Sequence, residues 1–248
     1  MNKEKPNNQY ALFSGCVMPI QLPHLEALGR EILKRLDIDV VDLDFSCCPV
    51  YSVKDVDKDE WLVFAARNLA LAEEQGVDIL SFCNGCTQTL IEATHELNED
   101  KELRKKINTK LAKIGKQYKG KVNSSHIMMI FDQYKAKLGP LLTKSLRGWK
   151  IATHTGCHLL RPSEIIGYDS AENPQKFDDL VRFLGGHAAD YQTKTLCCGS
   201  SQVTNDQQIM VDIMTDKLDD LTAANVDTLV TCCPSCFLQY DKTQMLVN

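Results

Sequence analysis

The sequence VDILSFCNGC at residues 77–86 runs from a short apolar segment directly into a Cys-x-x-Cys motif. A second sequence, VDTLVTCCPSC at residues 226–236, follows the same plan. A short apolar run bounded by turn signals is typical of a buried strand, so each motif is predicted to begin where a strand ends. The repetition indicates that the chain contains two related halves.

The other cysteines extend this repeat. In each half a single cysteine comes first, an adjacent Cys-Cys pair follows, and the Cys-x-x-Cys motif comes last. The second cysteine of the pair precedes the Cys-x-x-Cys motif by 35 positions in both halves. The first half contains Cys16, Cys47, Cys48, Cys83 and Cys86, and the second half contains Cys157, Cys197, Cys198, Cys233 and Cys236. We infer an internal duplication of one domain.

Short apolar segments alternate with segments of helical spacing in both halves. Strands are predicted at 10–14, 40–45, 78–82, 150–153, 188–191 and 228–231, and helices at 25–35, 60–75, 174–184 and 206–225. This alternation predicts an α/β fold: two similar Rossmann-like domains, each with a small parallel sheet and helical cover. We place the domains at 1–122 and 149–248, with a connecting helical segment at 123–148. The cysteines follow the strand ends, where such sheets collect ligands.

Composition restricts the function. Basic and acidic residues are interspersed and the net charge is −5, which argues against nucleic acid as the main partner. No uninterrupted apolar run approaches the ~18 residues of a membrane span. The polar segment at residues 1–6 lacks the apolar core of a signal peptide. We therefore expect a cytoplasmic protein without a membrane span, in which clustered cysteines bind metal or carry out redox chemistry.

Five cysteines in each half exceed the four ligands of a mononuclear zinc site or of an ordinary cubane cluster. Adjacent cysteines such as Cys47 and Cys48 suit a larger cluster whose separate irons each accept a thiolate, or a loop bent around a cluster. Cys232, the one cysteine outside these two sets, has Phe82 at the matching place in the first half. We expect Cys232 to be a buried thiol that does not bind metal, with a resolving thiol as the alternative.

These motifs resemble the cysteine-rich CCG domains of the heterodisulfide reductase B subunit over nearly the whole chain. The resemblance is clearest at CNGCTQTL (83–90), GCHLLRP (156–162) and CPSCF (233–237). It implies two non-cubane [4Fe-4S] clusters, each held by the five cysteines of one half. The implied ligands are Cys16, Cys47, Cys48, Cys83 and Cys86 for one cluster, and Cys157, Cys197, Cys198, Cys233 and Cys236 for the other.

The resemblance also implies an activity and partners. The family's B subunit reduces the mixed disulfide of coenzyme M and coenzyme B in methanogens, between two facing clusters that each donate one electron. Electrons are then expected from the ferredoxin-like C subunit of heterodisulfide reductase and, behind it, from the flavin-bearing A subunit. His154 and His158 beside Cys157 are candidate proton donors, although local packing or hydrogen bonding is the favoured role of both. Arg161 and Lys194 could attract an anionic substrate, but a solvated surface charge is favoured for them.

Three other functions fit parts of the pattern. A CCG-type electron-relay subunit of a lactate, glycerol-3-phosphate or succinate oxidoreductase would keep both clusters but bind no disulfide. A zinc-stabilised binding module would use the two Cys-x-x-Cys motifs and leave the other cysteines unused. A thioredoxin-type enzyme would need an exposed Cys-x-x-Cys with a lowered thiol pKa.

Overall fold

The computed structural model describes residues 8–247 and consists of two compact units that divide between Ile130 and Phe131. In both units parallel strands alternate with helices, as the sequence predicts. Among the helices of the described residues, none is both long and apolar enough to cross a membrane.

The first unit contains the strands β1 (Gln9–Phe13), β2 (Asp39–Val41), β3 (Asp78–Ser81) and β4 (Ser124–His126). All four are parallel, in the spatial order β2-β1-β3-β4. Its helices are α1 (Val17–Gln21), α2 (Pro23–Arg35), α3 (Tyr51–Val56), α4 (Lys58–Gln75), α5 (Asn84–Glu99) and α6 (Lys101–Leu111), followed by a 3₁₀ turn at Ala112–Ile114. The division between the units falls within α7 (Ile127–Gln133).

The two central strands of this sheet are its most deeply buried. Ala11 of β1 pairs with Ile79 of β3, and both side chains are fully buried. Parallel strands that are covered on both faces bury nearly all of their side chains, as these two do. Helix α4 supplies part of the cover: Trp61 packs in the same core and donates from Nε1 to the carbonyl oxygen of Pro49 at 3.0 Å.

The second unit repeats this arrangement with fewer strands. Its strands are β5 (Lys150–His154), β6 (His187–Ala188) and β7 (Thr228–Thr231), parallel and in the order β6-β5-β7. Its helices are α8 (Lys135–Leu138), α9 (Ser163–Ile166), α10 (Lys176–Phe183), α11 (Gln207–Ala223) and α12 (Pro234–Thr243), with 3₁₀ turns at Gly139–Leu141, Cys157–Leu159, Ser200–Gln202 and Gln244–Leu246. In both sheets the first strand of the unit lies between the second and the third, which is the order expected of a duplicated domain.

Helices α4 and α11 correspond to each other, and their sequences fix both of their ends. Asp57 and Asp206 are the N-caps, and each side chain accepts hydrogen bonds from backbone N–H groups of the first turn. Gly76 and Asn225 follow the two helices with φ angles of 67° and 48°, in the left-handed region that terminates a helix. Each helix therefore leads directly into the strand that precedes a Cys-x-x-Cys motif.

The α/β fold with two similar halves and parallel sheets is confirmed. Strand β2 is shorter than the predicted 40–45, because residues 42–50 leave the sheet and form an irregular loop. Strand β4 was not predicted, since Ser124–His126 is too polar to form an apolar run, yet its backbone pairs with β3. The segment 123–148, predicted to be a connecting helical segment, contributes its first residues to the first sheet and those from Phe131 onward to the second unit.

Candidate metal centres

In the first unit the five motif cysteines lie beyond the carboxyl ends of the strands. Cys16 follows β1, and the loop between β2 and α3 carries Cys47 and Cys48. Cys83 is the N-cap of α5, and Cys86 lies in the first turn of that helix. Because the strands are parallel, their carboxyl ends share one edge of the sheet, and this edge brings the three segments together.

The thiols of the first unit interact with one another. The sulfur atoms of Cys48 and Cys86 lie 2.8 Å apart, and both residues are buried. The neighbouring thiols of Cys48 and Cys83, together with burial, raise the pKa of Cys86 well above its ordinary value. The pKa of Cys47 is also raised, chiefly by Cys48, with contributions from burial and from Cys16. Every thiol of the set is thus an electrostatic neighbour of another member.

The backbone approaches these sulfur atoms closely at Gly15. Its φ of 70° is left-handed, and a β-carbon at this position would lie 3.0 Å from Cys86 Sγ. A cavity of about 280 Å³ opens nearby, and Phe13, Phe45, Cys16 and Cys47 are among its lining residues. Cys16 and Cys47 are exposed, so the set can be reached from solvent on this side.

Buried polar side chains hold the loop that carries the Cys-Cys pair. Asn68 of α4 is fully buried, and its Oδ1 accepts from the backbone N–H of Ser46 at 2.9 Å. Its Nδ2 donates to the carbonyl oxygens of Ser46 and Cys47, each at 3.3 Å. On the other side of the pair, Trp61 holds Pro49 through the bond described above. These contacts fix the loop through protein groups alone.

The second unit places its cysteines in the same way. Cys157 begins the 3₁₀ turn that follows β5, and the irregular segment between β6 and α11 carries Cys197 and Cys198. Cys233 is the N-cap of α12, and Cys236 lies in its first turn. The three segments again meet beyond the carboxyl ends of parallel strands.

The five thiols of the second unit also form one interacting group. Hydrogen bonds from the thiols of Cys157 and Cys198 lower the pKa of Cys197 to about 2. The pKa of Cys157 is raised in return, chiefly by Cys197 and by burial. The thiols of Cys198 and Cys233 raise the pKa of Cys236 well above its ordinary value. Each unit therefore gathers its own complete set of motif thiols.

His154 and Lys217 adjoin the second set. His154, Cys198 and Cys236 offer potential ligand atoms that lie within 4.8 Å of one another. Lys217 Nζ lies 3.2 Å from His154 Nδ1, and both residues are almost completely buried. Burial lowers the pKa of His154 to about 3 and that of Lys217 to about 8. Near pH 7 the imidazole is therefore neutral and the ammonium is mostly protonated.

Lys217 was not among the site residues predicted from the sequence. Helix α11 buries Met210, Met214 and Leu221, and Lys217 lies on the same face of the helix at helical spacing. Lysine is almost never fully buried unless it is paired. The position of Lys217 on the apolar face of the helix could therefore have identified it as a site residue.

The other predicted polar residues have separate environments. Lys194 is buried, and its Nζ lies 2.5 Å from Asp178 Oδ2, so the expectation of a solvated surface charge is wrong for this residue. The reason is the buried carboxylate on α10, which supplies a countercharge. Arg161 is exposed and donates from Nη2 to the carbonyl oxygen of Ala171 at 3.1 Å. His158 is half-buried in the 3₁₀ turn after β5.

Cys232 makes a different contact from the ten motif cysteines. Its Sγ lies 3.1 Å from the carbonyl oxygen of Thr155, and the residue is partly buried. A thiol that donates to a backbone carbonyl needs no metal to satisfy it. Its assignment as a non-ligand thiol stays a prediction.

The donor sets fit iron–sulfur clusters. Thiolates are soft ligands that suit zinc, copper(I) and iron–sulfur sites. Five thiols in each unit exceed the four ligands of a structural zinc ion. The close approach of the backbone at Gly15 and the thiol packing around Cys86 are suited to a compact polynuclear group rather than to an extended organic cofactor.

Comparisons with known proteins agree with this arrangement. The model of the cysteine-rich domain family CCG matches residues 10–91 and 151–241, one match in each unit. Over 246 residues the chain is 39% identical to the B subunit of the ferredoxin/F(420)H(2)-dependent CoB-CoM heterodisulfide reductase of Methanosarcina acetivorans, an alignment that covers 96% of this chain and 81% of that protein. It is 30% identical over 237 residues to the membrane anchor subunit of the 8-methylmenaquinol:fumarate reductase of Wolinella succinogenes, covering 95% and 83% of the two chains.

A solved structure shares the fold. The crystal structure of a hypothetical protein from Helicobacter pylori superposes with a TM-score of 0.76 at 15% identity, over 98% of this chain and 44% of that chain. The chain thus spans less than half the length of that protein, and the likeness shows the fold alone. The relatives from Methanosarcina acetivorans and Wolinella succinogenes described above are both components of oxidoreductases.

Proposed function

Since this chain belongs to the family of cysteine-rich CCG proteins that includes the heterodisulfide reductase B subunit, we propose that it is the catalytic iron–sulfur subunit of a heterodisulfide reductase. The observation that carries the proposal is the completeness of both cysteine sets, five thiols in each unit. Reduction of a disulfide takes two electrons, whereas iron–sulfur clusters generally transfer one electron at a time. Two complete sites in one chain suit that stoichiometry.

We assign one [4Fe-4S] cluster of the non-cubane type to each set. The ligands are Cys16, Cys47, Cys48, Cys83 and Cys86 in the first unit, and Cys157, Cys197, Cys198, Cys233 and Cys236 in the second. When bound, such clusters supply single electrons and iron atoms that accept sulfur ligands. The chain positions the thiolates, holds their loops through buried side chains such as Asn68, and tunes the reduction potential through burial and hydrogen bonding.

The proposed substrate is a mixed disulfide, by family the disulfide of coenzyme M and coenzyme B. The reaction breaks one S–S bond and consumes two electrons and two protons, so that each sulfur leaves as a thiol. His154 and His158 are the candidate proton donors. The imidazole of His154 is neutral near pH 7, because burial lowers its pKa to about 3, and it has only its ring N–H proton to give.

We further propose that electrons arrive from the ferredoxin-like C subunit of the reductase and, through it, from the flavin-bearing A subunit, in a cytoplasmic assembly. The name of one relative supports a ferredoxin-linked electron supply. In an assay of the chain alone, a reduced viologen dye can take the place of these partners as the electron donor.

The test is disulfide reduction by the anaerobically purified chain. We expect it to oxidise reduced benzyl viologen when the coenzyme M–coenzyme B disulfide is added, with two thiols formed per disulfide. Cys157→Ser should abolish this activity, because it removes a proposed ligand of the second unit. Cys232→Ser, which alters a cysteine outside both sets, should retain it. An iron-loaded chain that neither binds nor reduces the disulfide would contradict the catalytic assignment.

One observation favours a second candidate, an electron-relay subunit of another oxidoreductase. The relative from Wolinella succinogenes belongs to a fumarate reductase and matches nearly the whole chain. A relay would hold both clusters and exchange electrons with a donor dye, but the disulfide would leave its spectrum and its oxidation rate unchanged. Binding of the disulfide to the reduced protein, measured by calorimetry, separates the two functions.

A further inference from the structure

Lys217 and Asn68 hold equivalent places in the two units. Each lies eight residues before the left-handed residue that follows its helix, on the face that packs into the unit. Each also contacts the residue that immediately precedes a Cys-Cys pair: Asn68 bonds the backbone of Ser46, and Lys217 Nζ donates to the carbonyl oxygen of Leu196 at 3.2 Å. The two units therefore use one buried polar side chain in the same place, an amide in the first and an ammonium in the second.

Lys217 carries a buried positive charge near pH 7. Within residues 8–247 no carboxylate oxygen lies at ion-pair distance from its Nζ, although the side chain is 0% exposed. Asp178 is paired with Lys194 at 2.5 Å, and Asp220 accepts from the backbone N–H of Thr193 at 2.6 Å. A buried ammonium without a countercharge is strongly unfavourable, so its surroundings must supply negative charge in another form.

The cysteine set supplies that charge. The thiol groups of Cys198, Cys236 and Cys197, and after them the more distant carboxylate of Asp220, act on the ammonium in the direction that favours its protonated form, against the effect of burial on its pKa. The connection is short, because Lys217 Nζ lies 3.2 Å from His154 Nδ1, and His154 shares a 4.8 Å cluster of potential ligand atoms with Cys198 and Cys236. Thiolates that hold a metal cluster would supply the negative countercharge that the Lys217 ammonium lacks.

The contact with Lys217 also fixes the tautomer of His154. An ammonium has only donors, so Nδ1 of the imidazole accepts, and the proton of the neutral ring is on Nε2. Nε2 is buried and has no hydrogen-bond partner among residues 8–247. A buried donor without an acceptor is costly, and a sulfur atom of a bound cluster or of a thiolate would satisfy it. Negative charge at the second site would therefore give His154 Nε2–H a hydrogen-bond acceptor and the Lys217 ammonium a countercharge.

We propose that Lys217 is a positioning residue of the second cysteine site and supplies the buried positive charge that stabilises the reduced state of the iron–sulfur group held there. The inference rests on the proposed function only in that it requires such a group in the second unit. One-electron reduction, with the electron taken from an external donor, adds one negative charge at the site. A buried cation nearby favours that added charge, and net charge is one of the factors that set cluster potentials. Asn68 makes the loop contact in the first unit without the charge.

The experiment is a redox titration of the anaerobically purified chain, followed by electron paramagnetic resonance. The spectrum that Cys157→Ser alters identifies the second-unit site. We expect Lys217→Met and Lys217→Gln to shift the midpoint potential of that site to more negative values and to leave the first site unchanged. Lys144→Met is the matched control, since it removes an exposed lysine of the same unit and should shift neither potential.

The reciprocal variant tests the same charge in the other unit. Asn68→Lys should shift the midpoint potential of the first site to more positive values. If the Lys217 variants lose their iron, this variant alone tests whether a buried lysine at this position raises the potential. A Lys217→Gln protein with the wild-type potential, or an Asn68→Lys protein with no shift, would overturn the inference and leave Lys217 a loop contact only. Absence of iron from the wild-type chain overturns this inference and the proposed function together. Shifted potentials without disulfide reduction would overturn the proposed substrate alone.

Discussion

The sulfur atoms of Cys48 and Cys86 lie 2.8 Å apart, although the two residues are separated by 38 positions in the sequence. This contact joins the Cys-Cys loop after β2 to the first turn of α5, across the carboxyl edge of one parallel sheet. It places the soft donors of two different segments at one point in the first unit. We propose that these two thiols belong to an iron–sulfur site.

Replacing either partner of this contact should empty one site and spare the other. We expect Cys48→Ser and Cys86→Ser to lose about half of the iron of the wild-type chain, because a hydroxyl is a harder and poorer ligand for iron in a cluster. Iron per chain and visible absorbance measure the loss. Cys232→Ser serves as the control and should retain all of the iron. Full iron content in both ligand variants would show that these thiols do not hold the cluster.

Gly15→Ala should damage the first site more than it damages the fold. The alanine would have to adopt a φ of 70° and place its β-carbon 3.0 Å from Cys86 Sγ, so the thiol or the turn must move. Gly115→Ala is the matched control, since Gly115 has a φ of 69° and open space around it. Both changes should cost about 1–2 kcal/mol of folding free energy, because alanine is placed in the left-handed region, but only Gly15→Ala should lower the iron content. Equal iron contents in the Gly15→Ala and Gly115→Ala proteins would contradict a close approach of the Gly15 backbone to the metal site.

Asn68→Ala should loosen the Cys-Cys loop of the first unit. It leaves the partly buried backbone N–H of Ser46 without its acceptor, which costs ~1 kcal/mol in the free energy of unfolding. We also expect faster loss of iron to a chelator, because the adjacent cysteines lose their support. Asn98→Ala is the control: Asn98 is exposed, and its side chain makes only surface hydrogen bonds such as those with Gly120 at 3.5 Å and with Arg104 at 3.1 Å, so stability and iron release should stay near wild type. Denaturant titration and chelator kinetics measure both effects.

Removal of the iron should destabilise both units. A group that binds only the folded state stabilises it, and without metal the crowded thiols must find other arrangements. Anaerobic chelation should therefore lower the melting temperature measured by circular dichroism, and reconstitution with iron and sulfide should restore it. A melting temperature that does not respond to chelation would mean that the thiols hold no stabilising group.

Much of this arrangement could be predicted from the sequence, because the repeated spacing of the cysteines and the strand–helix alternation both depend on local patterns. The apolar runs before Cys83 and Cys233 predicted strands that end at the motifs, and β3 and β7 are found there. Parallel pairing then places the cysteines of each half at one edge. The assignment of the ten cysteines as cluster ligands stays a prediction.

The remaining features depend on contacts between distant segments. Strand β4 forms through backbone pairing with β3, which the polar sequence of Ser124–His126 does not reveal. Lys194 is buried because Asp178 lies on a neighbouring helix, and a single lysine in a sequence does not identify its partner. The helical spacing of α11 places Lys217 on the apolar face, which the sequence shows. Its contact with His154, 63 positions away, can be seen only in the folded structure.

The most direct test of the central claim is the content of iron, acid-labile sulfide and zinc per chain in protein purified without oxygen. We predict roughly eight irons with matching sulfide, as two four-iron clusters require. About one or two zinc ions without sulfide would contradict it, because the cysteine sets would then hold structural metal and the chain would have no redox group.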